Sequence, residues 1–156
     1  MDCCGIRFIF NGQSSCAFSF YLHKKADLSR YLADIPPSCL SSCIIGCDSN
    51  SSSPAWGAPS MDNRGTQIHA FLDAHGLSTL NVVPHPPTYV RRNCATYIDA
   101  LFASKNFTDK HQEQLFRVLP RSELDSDHRT LSSSFSGVSP PPSPPSWPRL
   151  QEYLSR

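Results

Sequence analysis

The sequence predicts a mixed α/β domain in which strands outnumber helices, followed by a Pro/Ser-rich tail. Short apolar runs of strand length recur along the chain, separated by turn-forming residues. Two other segments carry apolar residues at helical spacing. A chain of 156 residues is long enough for one domain with a hydrophobic core. We therefore expect a domain over 1–137 and a tail over 138–156.

A β-hairpin is predicted at the start of the chain. Ile6 to Phe10 is an apolar run with one charge, Asn11-Gly12 is a strong hairpin signal, and Cys16 to Leu22 forms the return strand. A pair of edge strands this apolar usually needs a further strand beside it. We expect an exposed apolar sheet edge from Met1 to about Gly12, and further sequence before Met1.

Two helices are expected. The first runs from Asp27 to Ile35, with one apolar stripe, and Pro36-Pro37 ends it. The second runs from Arg64 to His75 after a cap at Asp62 or Asn63, and Gly76 is a natural residue to follow its end.

The remaining apolar runs predict strands that are separated by polar loops. The loop from Ser51 to Ser60 contains Trp56, which we interpret as a lid over the core rather than a ligand contact. The predicted strands are Ile44 to Asn50, Leu77 to Val83, Thr88 to Val90, Thr96 to Ser104, Leu115 to Leu119 and a last one ending near Phe135.

Composition narrows the class of protein. The net charge of +1 does not by itself indicate a nucleic-acid partner. The N-terminus lacks the features of a signal peptide, and no apolar stretch reaches membrane-spanning length. The seven cysteines lack the paired spacing of a zinc site, so we expect thiols that are not disulfide-bonded. These features predict an intracellular protein of the nucleus or cytoplasm, with no membrane partner.

Five acidic, amide and imidazole side chains are candidates for a site. Asp48 and Asn50 follow a predicted strand, and on an extended chain their side chains point to the same side. Asp99 stands in an apolar run, where a carboxylate normally needs a partner. Asp127 and His128 are adjacent before the last strand. Alone, the Asp48–Asn50 and Asp127–His128 pairs are more typical of a turn or a helix cap than of a site, and Asp99 could be a buried structural carboxylate with a satisfied charge.

The order of these pieces resembles the endonuclease/exonuclease/phosphatase superfamily. In particular, it resembles the apurinic-type endonuclease domain of non-LTR retrotransposon (reverse transcriptase) polyproteins. The resemblance implies an α/β fold, a four-layer sandwich of two face-to-face sheets flanked by helices. It is carried by Gly46 to Asn50, Trp56-Gly57 with Asp62 to Gly65, Pro87-Thr88-Tyr89, Ile98-Asp99 and Ser126-Asp127-His128.

The resemblance implies metal-dependent hydrolysis of a DNA phosphodiester. On this basis Asp48 would orient or deprotonate the attacking water, and Asn50 would hold Asp48 and the phosphate. His128 would donate a hydrogen bond to the phosphate, while Asp99 would hold its other ring nitrogen. Tyr21 matches a tyrosine that reaches toward the phosphate.

The resemblance also implies a magnesium (or manganese) ion, with Asp127 as a ligand. The family's metal-binding Glu lies upstream of the position matched by Tyr21, and no acidic residue stands between Cys3 and Tyr21. The chain therefore resembles the C-terminal two-thirds of the domain, an incomplete sandwich. We expect weak or no activity, and loosened support where Cys47 and Ser49 depart from the family's Gly and Phe.

Two alternatives remain open at this point. An interaction protein could present Pro140 to Pro145 to a polyproline-binding domain, although such a segment is more often an unstructured tail. A phosphatase of the same fold is the other alternative, and the stretch from Trp56 to Tyr89 argues against it.

Overall fold

The computed structural model of the protein describes residues 2–10, 12–25, 35–110, 113–120 and 126–135. The predicted helix from Asp27 to Ile35 lies outside these residues except for Ile35, which is buried. The tail over 138–156 also lies outside them.

Nine strands and three α-helices form the described structure. A single 3₁₀ turn, Pro54–Trp56, lies in the loop after the third strand. The strands are β1 Asp2–Phe10, β2 Gln13–Tyr21, β3 Cys43–Asp48, β4 Leu77–Thr79, β5 Tyr89–Arg91, β6 Cys94–Thr96, β7 Asp99–Ser104, β8 Glu113–Val118 and β9 Leu131–Phe135; the helices are α1 Pro37–Leu40, α2 Asn63–Ala74 and α3 Lys105–Lys110.

Five strands form the main sheet, in the order β1-β2-β3-β7-β4. β2 and β3 run parallel, and the other neighbours in this sheet are antiparallel. The register of β3 and β7 places Asp48 opposite Asp99, at the ends of two central strands. Two separate hairpins, β5–β6 and β8–β9, complete the described strands.

The N-terminal hairpin forms as the sequence predicts. Phe10 is paired with Gln13, so the connection has the two residues that Asn11-Gly12 predicts. β1 is an edge strand of the sheet, and the side chains of Ile6 and Ile9 are 63% and 78% exposed. The prediction of an exposed apolar edge is therefore confirmed for this strand.

Helix α2 also matches its prediction. The Asp62 carboxylate accepts a hydrogen bond from the Gly65 amide and so caps the helix. A Cβ at Gly65 would collide with the carbonyl oxygen of Ser52, so this close approach of loop and helix requires glycine. Ile68 and Leu72 are buried against the main sheet's core.

Trp56 is part of the hydrophobic core. Its side chain is fully buried, its ring stacks on that of His69 at 5.3 Å, and it meets Phe102 edge to face. Its indole N–H donates to the carbonyl oxygen of Ser51. The interpretation of Trp56 as a lid over the core is confirmed.

The predicted strand from Leu77 to Val83 ends early, at Thr79. Beyond it, the amide side chain of Asn81 replaces the backbone ladder: Oδ1 accepts from the Leu101 N–H, and Nδ2 donates to the Asp99 carbonyl oxygen. Helix α3, which the sequence analysis did not anticipate, begins where the buried Ser104 hydroxyl accepts from the Phe107 N–H.

The cysteines are thiols, as expected, and none of the seven is disulfide-bonded. Across the described residues, no helix has the length and apolar character that would be needed to cross a membrane.

Candidate active site

The ends of β3 and β7 bring two carboxylates to one imidazole. His128 Nδ1 lies 3.0 and 3.1 Å from the two carboxylate oxygens of Asp99. On the other side of the ring, Nε2 lies 3.8 Å from Asp48 Oδ2. The partner that the half-buried carboxylate of Asp99 required is therefore His128. Asp48, Asp99 and His128 each offer a ligand atom within 4.8 Å of the others.

The segment that carries His128 is held against β5 and β7. Tyr89 and His128 form a β-bridge, and their rings meet edge to face at 4.9 Å. The Arg129 N–H donates to the Thr88 carbonyl oxygen at 2.7 Å. The buried hydroxyl of Thr88 accepts from the N–H groups of both Ile98 and Asp99. Thr88 thus fixes the two backbone segments that carry the imidazole and its carboxylate.

Asn50 supports Asp48 through its backbone. Its φ of 46° places it in the left-handed region, so the chain is not extended at this residue, although Asp48 and Asn50 still line the same cleft. The turn instead lets the Asn50 N–H donate to Asp48 Oδ1 at 3.2 Å. Its side-chain amide donates to the Leu22 carbonyl oxygen at 3.3 Å.

The tip between Asp48 and Asn50 is anchored by polar contacts. Ser49 is fully buried, and its hydroxyl donates to the Ile98 carbonyl oxygen at 2.7 Å. Arg64 Nε donates to the Ser49 carbonyl oxygen at 3.0 Å. These contacts hold the segment from Asp48 to Asn50 in place through polar groups.

Two other residues that the resemblance singled out, Tyr21 and Asp127, are not members of the three-residue cluster. Tyr21 pairs with Asp48 across β2 and β3, and its side chain is 43% exposed. The Asp127 carboxylate lies 3.4 Å from Arg91 Nε and is not part of the three-residue cluster. The role of Asp127 as a metal ligand stays a prediction.

Burial and charge both act on Asp48. Burial raises the pKa of this carboxyl above its ordinary value, and the nearby Asp99 carboxylate raises it further. His128 and the Asn50 N–H oppose this rise. Asp48 therefore holds its proton more tightly than an exposed aspartate, which suits a group that must accept a proton.

Two clefts meet at Tyr21, Asp48 and His128. The sheet-side cleft has a volume of about 750 Å³, and its walls include Cys3, Cys4, Phe20, Leu101, Arg129 and Leu131. The hairpin-side cleft has a volume of about 990 Å³, and its walls include Lys24, Asn50, Tyr89, Arg91, Arg92 and Thr96.

Such an arrangement provides a carboxylate that can accept a proton, an imidazole of fixed orientation and two open approaches for an extended substrate. Reasoning from the sequence assigned no role at the site to Thr88, Tyr89 or Arg91. The Pro-Thr-Tyr motif was a signal for the first two, although it gave no indication of their contacts.

The chain belongs to the endonuclease-reverse transcriptase family, whose sequence profile matches residues 15–132. No curated protein gives a significant match to this sequence.

Solved structures show the same fold. The endonuclease domain of TRAS1, a telomere-specific non-LTR retrotransposon, superposes with a TM-score of 0.71 at 22% identity, covering 86% of this chain and 63% of that one. The inositol polyphosphate 5-phosphatase domain of SPsynaptojanin superposes with a TM-score of 0.51 at 14% identity, covering 85% and 49%. The expected α/β sandwich fold is confirmed, and the chain spans less than two thirds of either structure.

Proposed function

We propose that this chain carries the hydrolytic site of a DNA endonuclease that cleaves phosphodiester bonds. The observation that supports the proposal most directly is the Asp48–His128–Asp99 cluster at the meeting point of two clefts. Membership of the endonuclease-reverse transcriptase family supports DNA as the substrate class.

In the proposed mechanism, Asp48 positions the attacking water and accepts its proton. Its raised pKa favours proton uptake, while the Asn50 N–H holds Oδ1 in place. Oδ2, which faces His128, is the oxygen left to contact the water. The water would attack the phosphorus in line with the departing oxygen, and the open approaches on both sides of Asp48 leave room for that geometry.

His128 acts on the phosphate in this proposal. When Nδ1–H is donated to Asp99, the orientation of the ring is fixed and Nε2 is the nitrogen that faces the substrate. The protonated ring would donate from Nε2 to a phosphate oxygen on which negative charge develops. Asn50 and Tyr21 contribute at the rim, the first through Asp48 and the second through the side chain of a residue that is 43% exposed.

A divalent cation fits the donors present. Mg²⁺ and Mn²⁺ take oxygen ligands, and in this proposal the Asp127 carboxylate, one residue before His128, supplies one of them. The carboxylates of Asp48 and Asp99 add negative charge that attracts the cation. The ion pair of Asp127 with Arg91 is partly exposed, with 33% of the Asp127 side chain accessible, so exchanging this contact for the ion costs little. When bound, such an ion would stabilise the negative charge that develops on the phosphate.

Charge along the hairpin-side cleft suits a nucleic-acid backbone. Lys24, Arg91 and Arg92 line this cleft, and Arg92 lies in the turn between β5 and β6. Basic side chains along an extended groove attract phosphates with little regard to sequence. We propose that a DNA strand enters along this cleft and presents a phosphate to Asp48 and His128.

A supercoiled-plasmid nicking assay tests the proposal. We expect slow nicking that requires Mg²⁺ or Mn²⁺, that a chelator abolishes, and that Asp48→Ala and His128→Ala both lose. Asp109→Ala is the matched control, since Asp109 is exposed and pairs with Lys105 on α3. Nicking that persists in both site variants would refute the proposal.

A phosphatase activity is the second candidate, because the fold also matches that of a 5-phosphatase domain. The same preparations assayed with an inositol polyphosphate distinguish the two: release of phosphate without plasmid nicking would favour the phosphatase.

We also propose the division into a domain over 1–137 and a tail over 138–156. Binding of Pro140 to Pro145 to a polyproline-binding domain remains a separate hypothesis about that tail.

A further inference from the structure

Arg129 has an unusual environment at the wall of the sheet-side cleft. Its Nε is buried, and within the described part of the chain no group accepts a hydrogen bond from it. Its backbone is fixed, because the Arg129 N–H donates to the carbonyl oxygen of the buried Thr88. The segment around it also bears His128, one residue earlier in the chain, which forms an isolated β-bridge with Tyr89.

An unpartnered guanidinium N–H is costly in a folded protein. A buried donor without an acceptor costs roughly 1–3 kcal/mol, and more when the group is charged. Such groups in native proteins are therefore usually explained by a ligand, an ion or a water. Asp48 and Asp99 line the same cleft, yet no ion pair joins Arg129 to either carboxylate among the described residues.

The chemistry of the missing partner follows from the donor. A guanidinium presents several N–H groups in a plane and binds phosphate oxygens in pairs. Arg129 and His128 are the cationic or potentially cationic side chains that line the sheet-side cleft. A phosphate there would lie beside the carboxylate and imidazole of the site, and a rotation of the Arg129 side chain that brings the buried Nε to the cleft would give this nitrogen its acceptor.

We propose that Arg129 binds a phosphate of the substrate in the sheet-side cleft, whereas Arg91 and Arg92 line the hairpin-side cleft. This inference rests on the proposed function for the identity of the substrate. DNA held from both sides would be fixed at two phosphates, with the phosphate to be cleaved between them. Arg129 is thus a binding residue that acts on the position of the strand.

Binding of a fluorescent DNA duplex, measured by anisotropy in a chelator so that no cleavage occurs, tests the proposal. We expect Arg129→Gln to weaken binding roughly tenfold or more and to reduce the salt dependence by about one phosphate contact. Arg129→Lys should recover part of the affinity. Arg117→Gln is the matched control, because Arg117 is exposed on β8 and the substitution removes the same charge.

Stability separates a binding role from a structural one. Because the Nε of Arg129 lacks a hydrogen-bond acceptor, Arg129→Met should have the same midpoint of unfolding as the wild type or a higher one. A lower midpoint for this variant, or Arg129→Gln binding DNA as well as Arg117→Gln, would overturn the proposal.

A phosphate titration keeps the inference distinct from the endonuclease proposal. If the wild-type chain neither binds nor nicks DNA, the proposed function fails. A titration with inorganic phosphate, monitored by the NMR signals of the His128 ring, then decides the role of Arg129. Shifts in the wild type that disappear in Arg129→Gln support a phosphate site. Equal shifts in both proteins, or none in the wild type, refute it.

Discussion

Asp48 and Asp99 lie directly opposite each other on the neighbouring antiparallel strands β3 and β7. Like charges in such positions repel, and the proximity of Asp99 contributes to the raised pKa of Asp48. His128 contacts both carboxylates, one through each ring nitrogen. The imidazole therefore offsets a repulsion that the sheet itself creates.

The Asp99–His128 contact leads to a first prediction. Asp99→Asn should lower the nicking rate by about 100-fold or more, because the amide no longer requires a proton on Nδ1 and the imidazole loses its fixed orientation. The nitrogen NMR signals of the His128 ring should report the changed tautomer. Asp109→Asn is the control, and an unchanged rate in Asp99→Asn would show that Asp99 does not orient the ring.

Stability should depend on pH through Asp48. Its pKa is raised in the folded chain, so the folded state holds this proton more tightly than the unfolded state does. Protonation of Asp48 thus favours folding, and that contribution is lost as the pH rises from the unfolded value, about 3.9, through the raised pKa.

Asp48→Asn removes this dependence. The free energy of unfolding of Asp48→Asn minus that of the wild type should increase as the pH rises from the unfolded pKa of Asp48 to its raised folded pKa. The difference should level off above the folded pKa. Urea unfolding at several pH values measures the difference, and activity should be lost in the variant at every pH. A difference that stays constant with pH would contradict the raised pKa.

Thr88→Val should destabilise the domain by roughly 2–4 kcal/mol. The substitution keeps the shape of the side chain but removes the acceptor for the N–H groups of Ile98 and Asp99, and a buried donor without a partner costs roughly 1–3 kcal/mol. Urea unfolding gives the value. Thr130→Val, at an exposed position, is the control and should change stability by no more than about 0.5 kcal/mol.

Thiol reactivity should follow burial. Burial raises the pKa of the Cys43 thiol to about 11 and raises that of Cys47 as well. Cys4 and Cys94 are exposed. Iodoacetamide at neutral pH should therefore modify Cys4 and Cys94 in the folded chain, but Cys43 and Cys47 only after unfolding, as peptide mass spectrometry can determine.

Cys39 should react as readily as the exposed thiols. A hydrogen bond from the Cys16 thiol lowers the pKa of Cys39, and Arg7 Nη2 donates to its sulfur at 3.7 Å. Arg7→Met should slow the alkylation of Cys39 and leave that of Cys94 unchanged. Equal rates at Cys39 before and after the substitution would count against the influence of Arg7.

The sequence allowed the fold to be predicted where local signals agree. The hairpin at Asn11-Gly12 and the helix after Asp62 depend on turn and cap chemistry within a few residues. The need of Asp99 for a partner was also evident, because a carboxylate in an apolar run requires one. The family resemblance then indicated His128 as that partner, and the structure confirms their contact.

Other features depend on contacts between distant residues and could not be predicted. The early end of the strand at Thr79 results from hydrogen bonds between Asn81 and β7, which no local pattern indicates. The left-handed conformation of Asn50 and the pairing of Asp127 with Arg91 likewise depend on how neighbouring segments meet.

The four hydrogen bonds of Thr88 have a consequence for the motions of the site. Its N–H, carbonyl and hydroxyl groups join the hairpin, the start of β7 and the segment of Arg129. These segments cannot separate one at a time without breaking contacts to the same residue. The amide protons of Ile98, Asp99 and Arg129 should therefore exchange with solvent at a common, slow rate, through openings that expose all three together.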